Sequence, residues 1–202
     1  MYLVQGATLY YSLSVKKILS KSLDDTSRIA REWLVSLEKK EAKNKDSALV
    51  VGLSGNLGSG KTAFVKAVAK ELGIKEQVTS PTFVIEKIYT IGSNGSTFAQ
   101  ASADRGNDLI DSSGSIPPFE PQGLYSTTAS SEFPWKRLVH IDAYRIESAR
   151  ELEVLNFEEL VEDQNNLILI EWPENVKEIL PEGALTIKCE FVSETEREYG
   201  FE

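Results

Sequence analysis

The stretch Gly55-Asn56-Leu57-Gly58-Ser59-Gly60-Lys61-Thr62 decides the fold of this 202-residue chain. It matches the pattern G-x-x-x-x-G-K-[ST] of a phosphate-binding loop, which requires a strand before it and a helix after it. Residues 48–54 (ALVVGLS) are an apolar run typical of a buried strand. Residues 63–72 (AFVKAVAKEL) carry apolar side chains at helical spacing, and Gly73 ends the pattern. Strand, loop and helix together predict a site for a nucleoside triphosphate.

The residue types of this loop explain its expected chemistry. Glycines reach backbone conformations that are closed to residues with a Cβ, so several N–H groups can face one concavity at the start of the following helix. We expect the Lys61 ammonium to bind the β and γ oxygens and the Thr62 hydroxyl to bind Mg²⁺. The residues predicted to bind the nucleotide here are Gly55, Asn56, Leu57, Gly58, Ser59, Gly60, Lys61 and Thr62.

Composition limits the classes of protein to be considered. The chain is 41% hydrophobic, which predicts one substantial core, and its net charge of −9 argues against binding DNA, RNA or an anionic membrane through its field alone. Cys189 is the single cysteine, so disulfide frameworks and cysteine metal clusters are excluded. We find neither a signal-peptide pattern nor a run near the ~20 apolar residues of a membrane span. These features predict a soluble cytoplasmic protein.

Strand and helix patterns alternate along the rest of the chain, which predicts an α/β fold. The expected helices are 25–40, capped by Asp24 or Asp25, and 148–156. The expected strands are 18–20 at a sheet edge, 84–89, 136–142, 167–173, and 185–191 as a terminal strand at a sheet edge. We predict a P-loop NTPase-like, mostly parallel sheet flanked by helices, with antiparallel edge strands.

One segment interrupts this pattern. Residues 91–135 are rich in Ser, Gly, Pro and Asp and lack periodicity, so we predict a disordered insertion, with a partner-binding lid as the alternative. Residues 1–16 are predicted to be an N-terminal extension. Residues 17–202 then form a single domain that contains the insertion.

Two predicted strands end in a carboxylate, Asp142 on one and Glu171 on the other. Ligands in α/β sheets collect at the carboxyl ends of strands, and the Mg²⁺ of a phosphate-loop protein needs a carboxylate there. Either acid can be that partner, and the other can orient the attacking water. Both acids are therefore predicted to be functional.

Four motifs in order make the chain resemble a known family. GNLGSGKT is followed by SPTF (Ser80 to Phe83), HIDAYR (His140 to Arg145) and IEWPE (Ile170 to Glu174). This order resembles the TsaE family, formerly YjeE, small bacterial ATPases that support threonylcarbamoylation of adenosine 37 in tRNA. The resemblance covers most of residues 18–90 and 136–200.

The resemblance implies a role for further residues. It implies that Thr62 and Glu171 bind Mg²⁺, that Asp142 is the acid that supports hydrolysis, and that Thr82 lies in a nucleotide-sensing segment. It also implies that Trp172 contributes to activity, that Thr26 lies near the nucleoside, and that Arg197 contacts the nucleotide. The implied catalytic residues are Asp142, Glu171, Thr82 and Lys61.

The resemblance further implies a weak Mg²⁺-dependent ATPase with ATP and Mg²⁺ as its cofactors. It would act as an accessory subunit of a heterodimer of the TsaD transferase and its paralogue TsaB, and would meet tRNA only indirectly through that complex. Two alternatives remain open. One is an assembly switch that does not need hydrolysis, and the other is a small-molecule kinase with the same phosphate loop.

Overall fold

The computed structural model of the chain describes residues 16–41, 46–81, 85–92, 133–148, 150–153 and 155–202. Within these residues, seven strands form one sheet in the order β1-β7-β6-β2-β5-β4-β3. Their bounds are β1 (Lys16–Ser20), β2 (Leu49–Ser54), β3 (Glu86–Thr90), β4 (Arg137–Asp142), β5 (Asn166–Glu171), β6 (Leu185–Phe191) and β7 (Arg197–Phe201). Strands β6, β2, β5 and β4 run parallel, whereas β3 is antiparallel to β4, β7 to β6, and β1 to β7. The predicted mostly parallel sheet with antiparallel edge strands is confirmed.

Helices cover both faces of the sheet. Their bounds are α1 (Leu23–Glu41), α2 (Lys61–Glu71), α3 (Arg150–Glu153) and α4 (Phe157–Glu162). One core joins α1 and α2 to alternate residues of the central strands, such as Leu138 and Leu169. The other core packs residues of α3 and α4 against the intervening positions, such as Val139 and Ile168. The central strands are therefore buried on both faces, as parallel strands usually are. None of the described helices is long and apolar enough to cross a membrane.

The start of α1 differs from the prediction. The helix begins at Leu23, and the hydroxyl of Ser22 accepts a hydrogen bond from the N–H of Asp25 at 3.1 Å. The Asp25 carboxylate accepts one from the N–H of Lys21 at 3.1 Å. Ser22 therefore caps the helix, and the prediction of Asp24 or Asp25 as the cap is wrong. The arrangement is close to a capping box, in which the acid accepts from the N–H of the cap residue itself.

Two other elements differ from the prediction, one in its extent and one in its position in the sheet. The expected helix 148–156 is shorter, because Asn156 adopts a left-handed conformation (φ 53°) and α4 starts after it. The strand 185–191 exists as β6, but it is neither terminal nor at an edge, since β7 pairs with it and β1 pairs with β7. β7 (REYGF) is short and carries two charges, so hydrophobic pattern alone does not mark it as a strand.

Both ends of the predicted insertion 91–135 reach the described residues. The N–H of Ile91 donates to the carbonyl of Lys136 at 2.9 Å, and Trp135 is buried in the core with Phe133 stacked beside it. Residues 93–132 lie outside the described residues, and so do residues 1–15 of the predicted extension. The predictions made for those residues stay predictions.

Candidate functional site

The loop after β2 needs its glycines for two separate reasons. Gly55, Gly58 and Gly60 all have positive φ values, of 137°, 79° and 97°. L residues with a side chain rarely adopt this region. A Cβ on Gly55 would also lie 2.1 Å from the carbonyl oxygen of Cys189 on β6. The loop is thus pressed against the neighbouring strand, where there is no space for a side chain.

The helix that follows the loop has a start suited to an anion. Gly60 stands at the cap position of α2 without a side-chain cap hydrogen bond, and the first turn contains no acidic residue. The buried hydroxyl of Ser59 has no hydrogen-bond partner among the described residues. Free N–H groups and the positive end of the helix dipole favour a phosphate at such a start. These features match the chemistry predicted for a phosphate loop.

Lys61 lies folded against the loop. Its Nζ donates to the carbonyls of Gly55 at 2.6 Å and Asn56 at 3.0 Å, and it lies 3.7 Å from the centre of the Trp172 ring. Burial lowers the pKa of the Lys61 ammonium from its ordinary value, and the nearby Glu171 carboxylate opposes this shift. The structure thus brings the predicted residues Lys61 and Trp172 together in a cation–π contact.

Thr62 and Glu171 meet as predicted for a metal-binding pair. Glu171 ends β5 on the face of the sheet that α2 covers, and its carboxylate is 3% exposed. The Thr62 Oγ1 lies 2.8 Å from its Oε1 and 2.9 Å from its Oε2. A hydroxyl and a carboxylate are hard oxygen donors of the kind that Mg²⁺ prefers.

Asp142 lies beside Glu171. The two are directly opposite each other in the parallel pairing of β4 and β5. The Asp142 carboxylate accepts hydrogen bonds from the Ser80 hydroxyl at 2.8 Å and from the N–H of Tyr144 at 3.1 Å. Its backbone N–H donates to the carbonyl of Ile85 at 2.9 Å. Asp142 is therefore attached to both sides of residues 82–84, and the predicted residue Thr82 itself lies outside the described residues.

Two residues next to these acids have unusual backbones. Ile85 has a φ of 64° and Trp172 a φ of 60°, although neither is a glycine. Each such conformation costs about 1–3 kcal/mol and persists where the surrounding structure enforces it. For Trp172, the kink directs the indole over Lys61 and against the exposed Tyr144, with 5.1 Å between the ring centres. Strain therefore lies next to both acids.

Thr26, which the resemblance places near the nucleoside, and Arg197, which it implies contacts the nucleotide, have different surroundings. Arg197 reaches the loop, because its Nε donates to the carbonyl of Gly58 at 3.1 Å while its guanidinium lies over Phe191. Thr26 is buried at the start of α1, and its hydroxyl lies 2.8 Å from that of Ser20. Ser20 is opposite Arg197 in the β1–β7 pairing, so both predicted residues lie toward the same end of these strands.

Sequence reasoning missed two polar residues at the site. His140 was given no role beyond its place in the HIDAYR motif, and its Nε2 lies 2.9 Å from Oε1 of Glu171. Ser80, which bonds to Asp142, received no role. The signal for His140 was its position two residues before Asp142, which puts both side chains on one face of a strand.

Comparison with known proteins identifies the family. The family described as "Threonylcarbamoyl adenosine biosynthesis protein TsaE" matches residues 20–105 and 106–199. The chain is similar to the tRNA threonylcarbamoyladenosine biosynthesis protein TsaE of Bacillus subtilis, with 32% identity over 75% of this chain and 68% of that protein. The protein of the same name from Treponema pallidum is 27% identical over 90% of this chain and 96% of its own length.

A solved structure supports the fold. The crystal structure of YdiB from Bacillus subtilis aligns with a TM-score of 0.51, at 24% identity, over 94% of this chain and 87% of that one. Together, the loop, the paired strand-end acids and these matches lead to one conclusion. The chain belongs to the TsaE family and has a role in the biosynthesis of threonylcarbamoyladenosine in tRNA.

Proposed function

We propose that this chain binds ATP with Mg²⁺ and hydrolyses it slowly, as an accessory subunit in tRNA threonylcarbamoylation. The observation that carries the proposal is the contact of the Thr62 hydroxyl with both oxygens of Glu171, at 2.8 and 2.9 Å. This contact joins the end of the phosphate loop to the end of a parallel strand. The loop would hold the β-phosphate, and Lys61 would exchange its carbonyl partners for phosphate oxygens.

Mg²⁺ fits the donors at this position. Thr62 and Glu171 would hold the ion, which would neutralise charge that develops on the transferred phosphoryl group. Among the described residues, no three His, Cys, Asp or Glu side chains form a group that could hold a metal ion alone. Such a sparse donor set suits Mg²⁺, which usually keeps waters and phosphate oxygens as its remaining ligands. Asp142, beside Glu171, would accept a hydrogen bond from the attacking water.

The contacts of Arg197 support the proposal of slow turnover in isolation, which fits an accessory role. The guanidinium of Arg197 is engaged with the backbone carbonyls of Gly58, Ser193 and Glu196, at 3.1, 2.6 and 2.8 Å. An arginine held in this way is not free to stabilise the transition state, a task that partner proteins perform in other phosphate-loop enzymes. We propose the TsaB–TsaD heterodimer as the partner, in the cytoplasm. The net charge of −9 favours contact with tRNA through that complex rather than directly.

The chain carries its own reporter of nucleotide binding. Of its three tryptophans, Trp33 and Trp135 are 8% and 6% exposed in the core, whereas Trp172 lies over Lys61. Titration of purified protein with ATP and Mg²⁺ should change tryptophan emission, and Trp172→Phe should remove the change. Calorimetry without detectable ATP binding would refute the proposal.

The partnership needs a separate experiment. ATP should promote association of the chain with purified TsaB and TsaD, and depletion of the chain in cells should lower the threonylcarbamoyladenosine content of tRNA. Lys61→Ala should abolish the ATP-promoted association and should fail to restore the threonylcarbamoyladenosine content of tRNA in depleted cells. Lys66→Ala is the matched control, because Lys66 is an exposed lysine on the same helix. Equal association with and without ATP would contradict an ATP-driven subunit.

One observation favours a second candidate function, a nucleotide-dependent assembly switch. Asp142 contacts Ser80 through its carboxylate and Ile85 through its N–H, so it connects the site to both flanks of residues 82–84. Asp142→Asn keeps a side-chain oxygen that can accept from Ser80 and the backbone N–H that donates to Ile85, but it removes the negative charge. After this change, a switch would lose ATP turnover but keep its ATP-dependent association with partners. A hydrolysis-driven subunit would lose turnover and would also fail to restore threonylcarbamoyladenosine to the tRNA of depleted cells.

A further inference from the structure

We propose that His140 is a positioning residue that orients the Glu171 carboxylate for Mg²⁺. This inference rests on the proposed function, because it concerns the metal that accompanies the nucleotide. His140 is the single histidine of the chain and is 0% exposed in the centre of β4. Its Nε2 lies 2.9 Å from Oε1 of Glu171.

The hydrogen-bond network assigns the ring proton. A carboxylate oxygen accepts, so the Nε2–H of His140 donates to Glu171. The Nδ1 atom is buried and has no hydrogen-bond partner among the described residues. The imidazole is thus committed to one polar contact, and that contact is with the predicted metal-binding acid.

The contact restricts how Glu171 can turn. A glutamate carboxylate rotates over a broad range about its last torsion angle, and the single Thr62 hydroxyl lies almost equally far from the two oxygens. With His140 on Oε1, the oxygens are no longer equivalent. Oε1 is held by the His140 side chain, so Oε2 would remain for a cation beside Thr62. Partners of this kind around metal-binding groups typically contribute 10–100-fold to metal affinity or activity.

A purely structural role makes a different prediction, and the chain offers a matched comparison. Asn166 is also a 0% exposed polar residue of the central sheet, but at the opposite end of β5. Its side chain bonds to Arg137 and to the carbonyl of Leu160, at 2.8 Å each. Loss of either buried polar residue should destabilise the fold. Only the loss of His140 should also change the effect of Mg²⁺ on the dissociation constant for ATP.

The test measures ATP binding by calorimetry with and without Mg²⁺ and takes the ratio of the two dissociation constants. The variants are His140→Gln, whose amide nitrogen can replace Nε2, His140→Asn, whose shorter amide cannot reach Glu171, and Asn166→Ala. We expect His140→Asn to reduce the effect of Mg²⁺ on the dissociation constant by about 10-fold or more. His140→Gln should retain most of the effect. Asn166→Ala should retain all of it while lowering the melting temperature.

The possible outcomes distinguish failure of this inference from failure of the proposed function. If His140→Asn shows the wild-type Mg²⁺ effect, the inference is overturned, while the proposed function stands because wild-type protein still binds Mg²⁺ and ATP. If wild-type protein shows no Mg²⁺ effect, the proposed function itself fails. A background of Glu171→Gln provides the final check: His140→Asn should add little further loss there, and a full additional loss would mean that His140 acts by another route.

Discussion

The two ends of β4 and β5 are built from different chemistry. At the amino end, the guanidinium of Arg137 bonds to Asp163 and Asn166, and the Asn166 amide also bonds to the carbonyl of Leu160. At the carboxyl end, Asp142 and Glu171 lie opposite each other, only 5% and 3% exposed. Their contacts include two hydroxyls and an imidazole. The same two strands thus join opposite charges at one end and like charges at the other.

Under the proposed function, this difference separates an end that serves folding from an end that serves binding. Opposite charges with complementary hydrogen bonds need nothing further, whereas two adjacent buried acids repel each other and would be stabilised by an added cation. A cation therefore gains most at the carboxyl end. Changes at the amino end should alter the free energy of unfolding alone, and changes at the carboxyl end should alter ligand binding.

The largest expected effect is that of Lys61→Ala. Removal of a buried ammonium that would contact phosphate should weaken ATP binding by about 100-fold, since loss of such a charged partner costs about 2–5 kcal/mol. Calorimetric titration measures the change, with Lys66→Ala as the control for charge on the same helix. ATP affinity within about twofold of wild type would contradict the assignment of the loop.

At the opposite end, Asn166→Ala should lower the free energy of unfolding by about 2 kcal/mol. The change removes a donor from the carbonyl of Leu160 and an acceptor from Arg137, both part of a partly buried network. Urea denaturation followed by tryptophan emission measures it. ATP affinity should be unchanged, and an affinity loss equal to that of Lys61→Ala would remove the distinction between the two ends.

Ser80→Ala should act within the carboxyl end and have a smaller effect. The Ser80 hydroxyl donates to Asp142 at 2.8 Å, and loss of one bond to a charged acceptor corresponds to about 1.4 kcal/mol, or about 10-fold in turnover. Steady-state ATP hydrolysis measures the turnover number. Thr79→Val is the matched control, because the Thr79 hydroxyl bonds to Lys87 instead. Equal losses for both variants would show that Ser80 does not act through Asp142.

The smallest effect concerns Cys189, which lies beside the site but outside its chemistry. Burial raises the pKa of its thiol to about 12, so the unreactive protonated form dominates at pH 8. Alkylation of native protein by iodoacetamide, followed by mass spectrometry, should be slow and should accelerate in urea. Rapid alkylation of the native state would show that β6 opens next to the phosphate loop.

Much of the site could be predicted because its residues follow local rules. The phosphate loop is a contiguous motif, and alternation along a strand places Asp142 and Glu171 at comparable positions. The roles of His140 and Ser80 could not be predicted in this way. Their partners lie 31 and 62 residues away in the chain, and no local sequence pattern predicts which distant residue a buried histidine or a loop serine will contact.

The fold shows the same division. The apolar runs of β2, β4 and β5 were evident because strands buried on both faces are almost entirely hydrophobic. β7 was not evident, because an antiparallel strand near the edge is held by backbone hydrogen bonds to β6 and β1. Backbone pairing leaves little trace in side-chain composition. The cap at Ser22 was missed because Asp24 and Asp25, close to it in the chain, satisfy the same local preference.

The sequence by itself determined that this chain has a phosphate loop on a parallel α/β sheet and two acids at strand ends, since contiguous motifs and periodicity encode local structure. Only the tertiary structure decided that Glu171 meets Thr62 and His140, that Asp142 is attached to Ser80 and Ile85, and that Trp172 covers Lys61. The physical reason is that such contacts depend on strand register and on the strained backbone at Ile85 and Trp172. Both arise from packing between segments that are distant in the chain.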